Sequence, residues 1–220
     1  MGRVIALVVM VALMMGTGPT AHAANEWVRA ASQVAVSTAS VQNLVTDEAG
    51  VESLQTVCTA FSIDEQRGMF MTANHCIDSK QIRVNWSIAW VVKADVALDL
   101  AVLQSPGVRL PALKPYTGII LAGMDIAAFG HAYGWELPLF RAGHVSHPYM
   151  LVPEVKAQFP HLDGRFMVTD FALIGGMSGG PIVTPDGFII SINQMGNGVQ
   201  GLGQPIDVIL KATAGFWEAR

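Results

Sequence analysis

The chain has 220 residues, 51% of them hydrophobic and 14% charged, which is the composition of a globular protein and excludes a low-complexity or disordered polymer. A formal net charge of −4 argues against nucleic acid or an anionic membrane surface as the main partner. The length fits one large domain or two small ones.

The first residues read as a leader rather than as part of the fold. Arg3 is a short positive region, Val4 to Met15 is apolar, and Ala21-His22-Ala23 has the small-x-small form of a signal-peptidase site. The apolar run is too short to span a bilayer, which takes roughly 20 residues. Residues 1–23 are therefore expected to be a signal peptide, and 24–220 an exported, secreted or periplasmic protein with no membrane contact once the leader is gone. A retained anchor is the alternative.

A short helix is expected over Glu26 to Gln33. From there the chain reads as short β runs between turn residues: Thr56 to Ile63, Met69 to Thr72, Gln81 to Trp86, Ala89 to Val96, Leu100 to Gln104, Asp125 to Phe129, Leu139 to Ser146, Phe166 to Thr169, Pro181 to Val183 and Phe188 to Gln194. Strands this short and this numerous predict an all-β barrel or sandwich. The stretch Pro148 to Gly164, with three prolines, reads as a mobile flap. Pro205 to Trp217 carries Ile206, Ile209, Leu210 and Trp217 on one helical face and predicts a C-terminal helix.

Cys58 and Cys76 are the only cysteines. Two cysteines in an exported protein usually pair, and two isolated buried thiols are the alternative.

Chemistry concentrates in Gly175-Gly176-Met177-Ser178-Gly179-Gly180-Pro181. Glycines crowded around one serine give up packing and mark a chain that turns sharply and presents its N–H groups, as an oxyanion site requires. A serine hydroxyl is a weak nucleophile and needs a base, itself oriented by a carboxylate. His75, in Thr72-Ala73-Asn74-His75-Cys76, stands at a strand end beside one cysteine. Asp99 is the lone acid bordering the apolar run Leu100 to Leu103, and such a carboxylate needs a partner.

These blocks, in the order His, Asp, Ser, resemble the signatures of chymotrypsin-fold serine proteases, and most closely the HtrA-type (Deg) protease domain. Thr169-Asp170 through Pro181 is similar to that family's Thr-Asp-Ala to Ser-Gly-Gly-Pro block. Phe129-Gly130 with Ala142-Gly143-His144-Val145-Ser146, and Asp186-Gly187 with Ser191-Ile192-Asn193, resemble two further strand blocks. The likeness covers about residues 50 to 210. It implies two antiparallel six-stranded β-barrels, roughly 24–115 and 116–220, with a short C-terminal helix. It further implies a secreted serine endopeptidase that needs no cofactor and acts on protein or peptide substrates. Ser178 is then the nucleophile, His75 the general base, Asp99 the orienting acid, and the amides of Gly176 and Ser178 the oxyanion hole. Ala172, Leu173 and Ile174 would form one wall of the primary specificity pocket, with Gln194, Met195 and Gly196 the other. Ala172 stands where trypsins carry an aspartate, so the expected residue before the scissile bond is small or medium and apolar.

The chain departs from the pattern as well. Met177 replaces the usual Asn or Asp, no Ile-Val-Gly-Gly start is present, and no activation cleavage beyond leader removal is expected. No PDZ domain is expected after the protease block. Met177 and the short His75-to-Asp99 segment leave a rival reading, a catalytically impaired pseudoprotease that binds peptides. Asp95 reads as a solvated strand-edge charge and Asp170 as an acceptor beneath the serine loop. His144 and His147 alternate across a strand, which argues against a shared metal. No oligomeric state is legible in these residues.

Overall fold

Turn residues cut the apolar runs into strands short enough to pair with their sequence neighbours and close on themselves. The computed structural model describes residues 20–196 and 198–217, with the backbone alone over 20–25. Residues 1–19, the bulk of the predicted leader, lie outside the described residues.

Helix α1 (Thr20–Ala35) precedes β1 (Thr38–Thr46), β2 (Glu52–Asp64), β3 (Met69–Ala73), β4 (Ile82–Val84), β5 (Ser87–Asp95) and β6 (Leu100–Gln104). These strands close into an antiparallel barrel in the order β1-β2-β3-β6-β5-β4. A linker leads to β7 (Asp125–Gly130), β8 (Leu139–Leu151), helix α2 (Pro153–Gln158), β9 (Arg165–Thr169), β10 (Pro181–Val183), β11 (Ile189–Gly196), β12 (Gly201–Pro205) and helix α3 (Ile206–Ala212). The second barrel closes as β10-β11-β12-β9-β8-β7. The two six-stranded barrels are the fold that the resemblance implies.

Strand alternation divides the apolar residues between cores. Along β6, Leu103 points into the first barrel with Phe70 and Val84. Its neighbours Leu100 and Val102 face the second barrel, where Phe61, Phe129, Val183 and Ile192 join them in an inter-barrel core. His75 and Asp99 come from the first barrel and Ser178 from the second, so the packing of the two barrels sets their separation.

Several boundaries differ from the sequence reading. Strand β1 was not expected, because Ser40, Gln42 and Asn43 break its apolar pattern while being buried. Each finds a hydrogen-bond partner: Ser40 N–H donates to Asn85 Oδ1, Trp86 N–H to Gln42 Oε1, and Asn43 Nδ2 to the Cys76 carbonyl. Strand β12 was hidden by its glycines. A Cβ on Gly203 would come within 1.9 Å of the Ile192 carbonyl, so glycine is what lets β12 lie against β11. The expected flap is ordered structure: β8 runs on to Leu151 and α2 follows. Lys156 Nζ staples this segment by donating to the carbonyls of Pro160 and Leu162. Helix α1 is longer than expected, and α3 stops at Ala212, where Thr213 Oγ1 takes the Ile209 carbonyl.

Candidate active site

A 3-10 turn, Asn74–Ile77, continues β3 and carries His75 away from the barrel. Cys76 in the same turn is bonded to Cys58 of β2, with their Cα atoms 5.8 Å apart, which fixes the turn to the first barrel. Asp99 occupies the tight turn between β5 and β6 with φ +52°, a left-handed conformation that suits an aspartate better than most residues. Asp95, expected as a solvated strand-edge charge, stands half-exposed at the end of β5, and its Oδ1 also accepts the Leu98 N–H and caps this turn.

Asp99 is 4% exposed and meets His75 twice. The His75 backbone N–H donates to Oδ1 at 2.9 Å, and Nδ1 lies 2.8 Å from Oδ2. A carboxylate only accepts, so Nδ1 carries the proton and Nε2 presents a lone pair. Gln194 of β11, expected only as a pocket wall, also secures the acid: its Nε2 donates to the carbonyls of Leu98 at 2.6 Å and Asp99 at 2.8 Å. Its role could not be read from the sequence, because it depends on β11 of the second barrel packing against the turn before β6 of the first.

Ser178 is half-buried at the head of the glycine loop. Its hydroxyl donates to the Gln194 carbonyl at 3.1 Å, and no hydrogen bond joins it to His75 among the described residues. The loop is held by Thr59 of β2 and by the segment after β7. Thr59 is the keystone, unanticipated because an isolated threonine carries no signal. Its N–H donates to the Ser178 carbonyl at 2.8 Å, and its Oγ1 donates to the Gly176 carbonyl at 2.7 Å while accepting from His131 N–H. Beside Thr59, Tyr133 N–H donates to the Gly175 carbonyl at 2.8 Å. In a trans peptide N–H and C=O point opposite ways, so the Gly176 N–H faces away from Tyr133. Neither it nor the Ser178 N–H donates to a protein acceptor among the described residues. Gly176 has φ +93°, and a Cβ there would come within 2.3 Å of the His131 carbonyl, so only glycine fits.

Met177 is fully buried among Ile126, Ala128, Ala132, Phe171 and Ile182 in the core of the second barrel. The side chain that sets this chain apart therefore points away from the nucleophile and anchors the loop.

Of the expected pocket walls, Gln194 and Met195 line a cleft of about 380 Å³ beside His75 and Asp99. Val96, Phe159, His161 and Leu162 complete it, so the segment expected to be a flap supplies one wall. Asp163 N–H holds that segment in place on the Ala97 carbonyl. Leu173 fills the other slot: Cβ atoms built on Gly196 and Gly201 would lie 3.3 and 2.9 Å from it. Ile174 packs on the second barrel's core and Ala172 is half-buried.

Asp170 is not beneath the loop. It pairs with His144 on the surface by the same two-point geometry, His144 N–H to Oδ1 at 2.7 Å and Nδ1 to Oδ2 at 2.8 Å, while Asp125 approaches Nε2 at 3.2 Å. Among the described residues, one group of metal-ligand type converges, Cys58, His75 and Cys76, and its sulfurs are spent in the disulfide.

Comparison with known proteins bears on the family and the fold. Residues 58–192 match the family model of the trypsin-like peptidase domain. Among solved structures, an HtrA-type protease, AlgW, determined with a tripeptide, is similar with a TM-score of 0.67 and 26% identity. The likeness covers 84% of this chain and 61% of that one, so the chain spans less than two thirds of that protein's length. No curated protein sequence matches the chain.

Proposed function

The chain belongs to the trypsin-like peptidase domain family, and on that premise we propose that it is an exported serine endopeptidase acting through an acyl-enzyme. The observation that carries this reading is the doubly gripped His75–Asp99 pair at the barrel seam, beside a serine loop whose Gly176 and Ser178 amides have no protein acceptor among the described residues. Ser178 gives its hydroxyl proton to His75 Nε2 as it attacks the scissile carbonyl. The proton passes to the leaving amine, and water repeats the cycle to release the acyl group. Asp99 keeps Nδ1 protonated and offsets the imidazolium charge. The two amides receive the oxyanion, each such donor being worth about 10²–10³ in rate. No step calls for a cofactor.

Attack requires the Ser178 hydroxyl to leave the Gln194 carbonyl. That contact is the observation favouring the rival, a peptide-binding relative that does not cut. A fluorophosphonate probe decides between them: labelling that vanishes in Ser178→Ala supports the enzyme, and folded protein that takes no label rejects it.

Leu173 in the slot between Gly196 and Gly201 supports a small or medium apolar residue before the scissile bond. No charge stands at Ala172 to hold Lys or Arg. Peptide libraries in which a basic or aromatic residue is preferred at that position overturn this. The disulfide, the leader-like residues 1–23 and the HtrA-type likeness support export to an oxidising compartment. Cell fractionation tests it.

A further inference from the structure

Three large apolar side chains stand in solvent next to the serine loop, and the mechanism leaves them without a task. They belong to the segment after β7: Tyr133 is 72% exposed, Trp135 55% and Leu137 80%. Tyr133 is one of four residues other than glycine among those described with a left-handed φ, here +54°. Such a conformation is costly for a tyrosine and persists only where the surroundings impose it. The surroundings are the serine loop: Tyr133 N–H donates to the Gly175 carbonyl, and a Cβ on Gly176 would lie 3.1 Å from the same nitrogen. Gly134 presses the segment on β2, where a Cβ would come 3.1 Å from the Thr56 carbonyl. The Tyr133 and Trp135 rings are 5.9 Å apart, tilted by 55°. The result is a rigid aromatic ledge continuous with the oxyanion loop.

Its side of the nucleophile follows from the proposed reading, on which this inference rests. The acyl half of a substrate lies toward Leu173 and Gln194–Gly196. Loop 131–137 meets the serine loop next to β2 and the disulfide: Tyr133 N–H donates to the Gly175 carbonyl, His131 N–H to Thr59 Oγ1, and Gly134 lies against Thr56. We propose that Tyr133 and Trp135 form a leaving-group subsite that selects substrates with an aromatic or large apolar residue immediately after the scissile bond. An apolar side chain laid on the ledge buries surface on both partners and meets ring faces or edges, as aromatic pairs favour.

Leaving-side subsites can be read separately, because an amine bound there competes with water for the acyl-enzyme. Its nitrogen attacks the Ser178 ester carbonyl, the bond to Oγ breaks, Oγ recovers a proton through His75, and a peptide bond is formed. Acylation with an N-acyl-alanine ester is followed by partitioning among water, phenylalanine amide and glycine amide. The wild type is expected to favour phenylalanine amide over glycine amide by about three- to tenfold, the worth of one aromatic contact. Trp135→Ala should bring that preference close to one, and Trp135→Phe should retain most of it. A wild type without preference, or a Trp135→Ala protein with an unchanged one, overturns the subsite. A folded wild type that neither forms the acyl-enzyme nor takes a fluorophosphonate overturns the protease reading, and this inference with it.

Discussion

Asp99 grips His75 at two points, backbone N–H and ring Nδ1, so the carboxylate fixes both where the imidazole sits and which nitrogen carries the proton. Asp170 and His144 repeat that grip on the surface of the second barrel. The motif itself is therefore a structural device. What makes the first copy a candidate for catalysis is its burial and the serine loop beside it.

Asp99→Asn separates the two functions of the grip. An asparagine oxygen can still accept the backbone N–H, but the amide N–H₂ then faces Nδ1 and favours the tautomer with its proton on Nε2, the wrong nitrogen for a base. The expected outcome is a folded protein whose kcat falls about 10³–10⁴-fold, measured on a chromogenic peptide and paralleled by slower fluorophosphonate labelling. A change in KM alone would falsify the assignment of Asp99.

Met177 is predicted to matter through packing. It is fully buried, and Gly130 is a glycine because a Cβ there would meet the Met177 Cα at 2.6 Å. Met177→Leu conserves volume and should cost less than about 1.5 kcal/mol. Met177→Ala should cost about 2–5 kcal/mol. Met177→Asp restores the residue of zymogen-activated relatives but buries a carboxylate among apolar groups, and is expected to be the most damaging. Chemical denaturation orders the three, and an aspartate variant as stable as the leucine one contradicts the anchor.

Local pattern carried the reading of most strands, and the three catalytic-type blocks carried the fold. It failed where a residue's environment is supplied from far along the chain. The polar residues of β1 find hydrogen-bond partners in the β4–β5 hairpin and the Cys76 turn, and β12 is a strand because Gly203 fits under Ile192. The same holds at the site. Ser178, His75 and Asp99 announce themselves through their neighbours, whereas Gln194 and Thr59 act through backbone carbonyls contributed by the other barrel. Only the folded chain brings those together.

The Cys58–Cys76 bond ties β2 to the turn bearing His75 across a sequence separation of 18 residues. Closing a loop of that size restricts the unfolded chain by about 3 kcal/mol. Reduction, or the paired change Cys58→Ser with Cys76→Ser, should lower the melting temperature by several degrees and reduce kcat through a looser His75. Equal melting curves with and without reductant contradict this.

Stability should depend on pH through two histidines of opposite sign. Burial pushes His131 below the usual histidine range, despite its hydrogen bonds to the backbone of Trp135 and Glu136 that pull it back up. It is 4% exposed, Nδ1 lies 2.9 Å from the Trp135 carbonyl, and Nε2 has no partner among the described residues. In the unfolded chain it protonates near pH 6.5, as an ordinary histidine does. Its contribution is therefore present above that pH and is lost as pH falls from there through the lower folded value. His144 is raised by its hydrogen bond to Asp170, by that carboxylate's charge and by Asp125. Its contribution is present below the ordinary histidine value and is lost as pH rises through the raised one. Melting temperature measured from about pH 5 to 9 should peak between the two. His131→Asn removes a titrating group and should flatten the acid side, while His144→Gln should flatten the alkaline side. An acid limb of unchanged slope in His131→Asn shows that another group causes it.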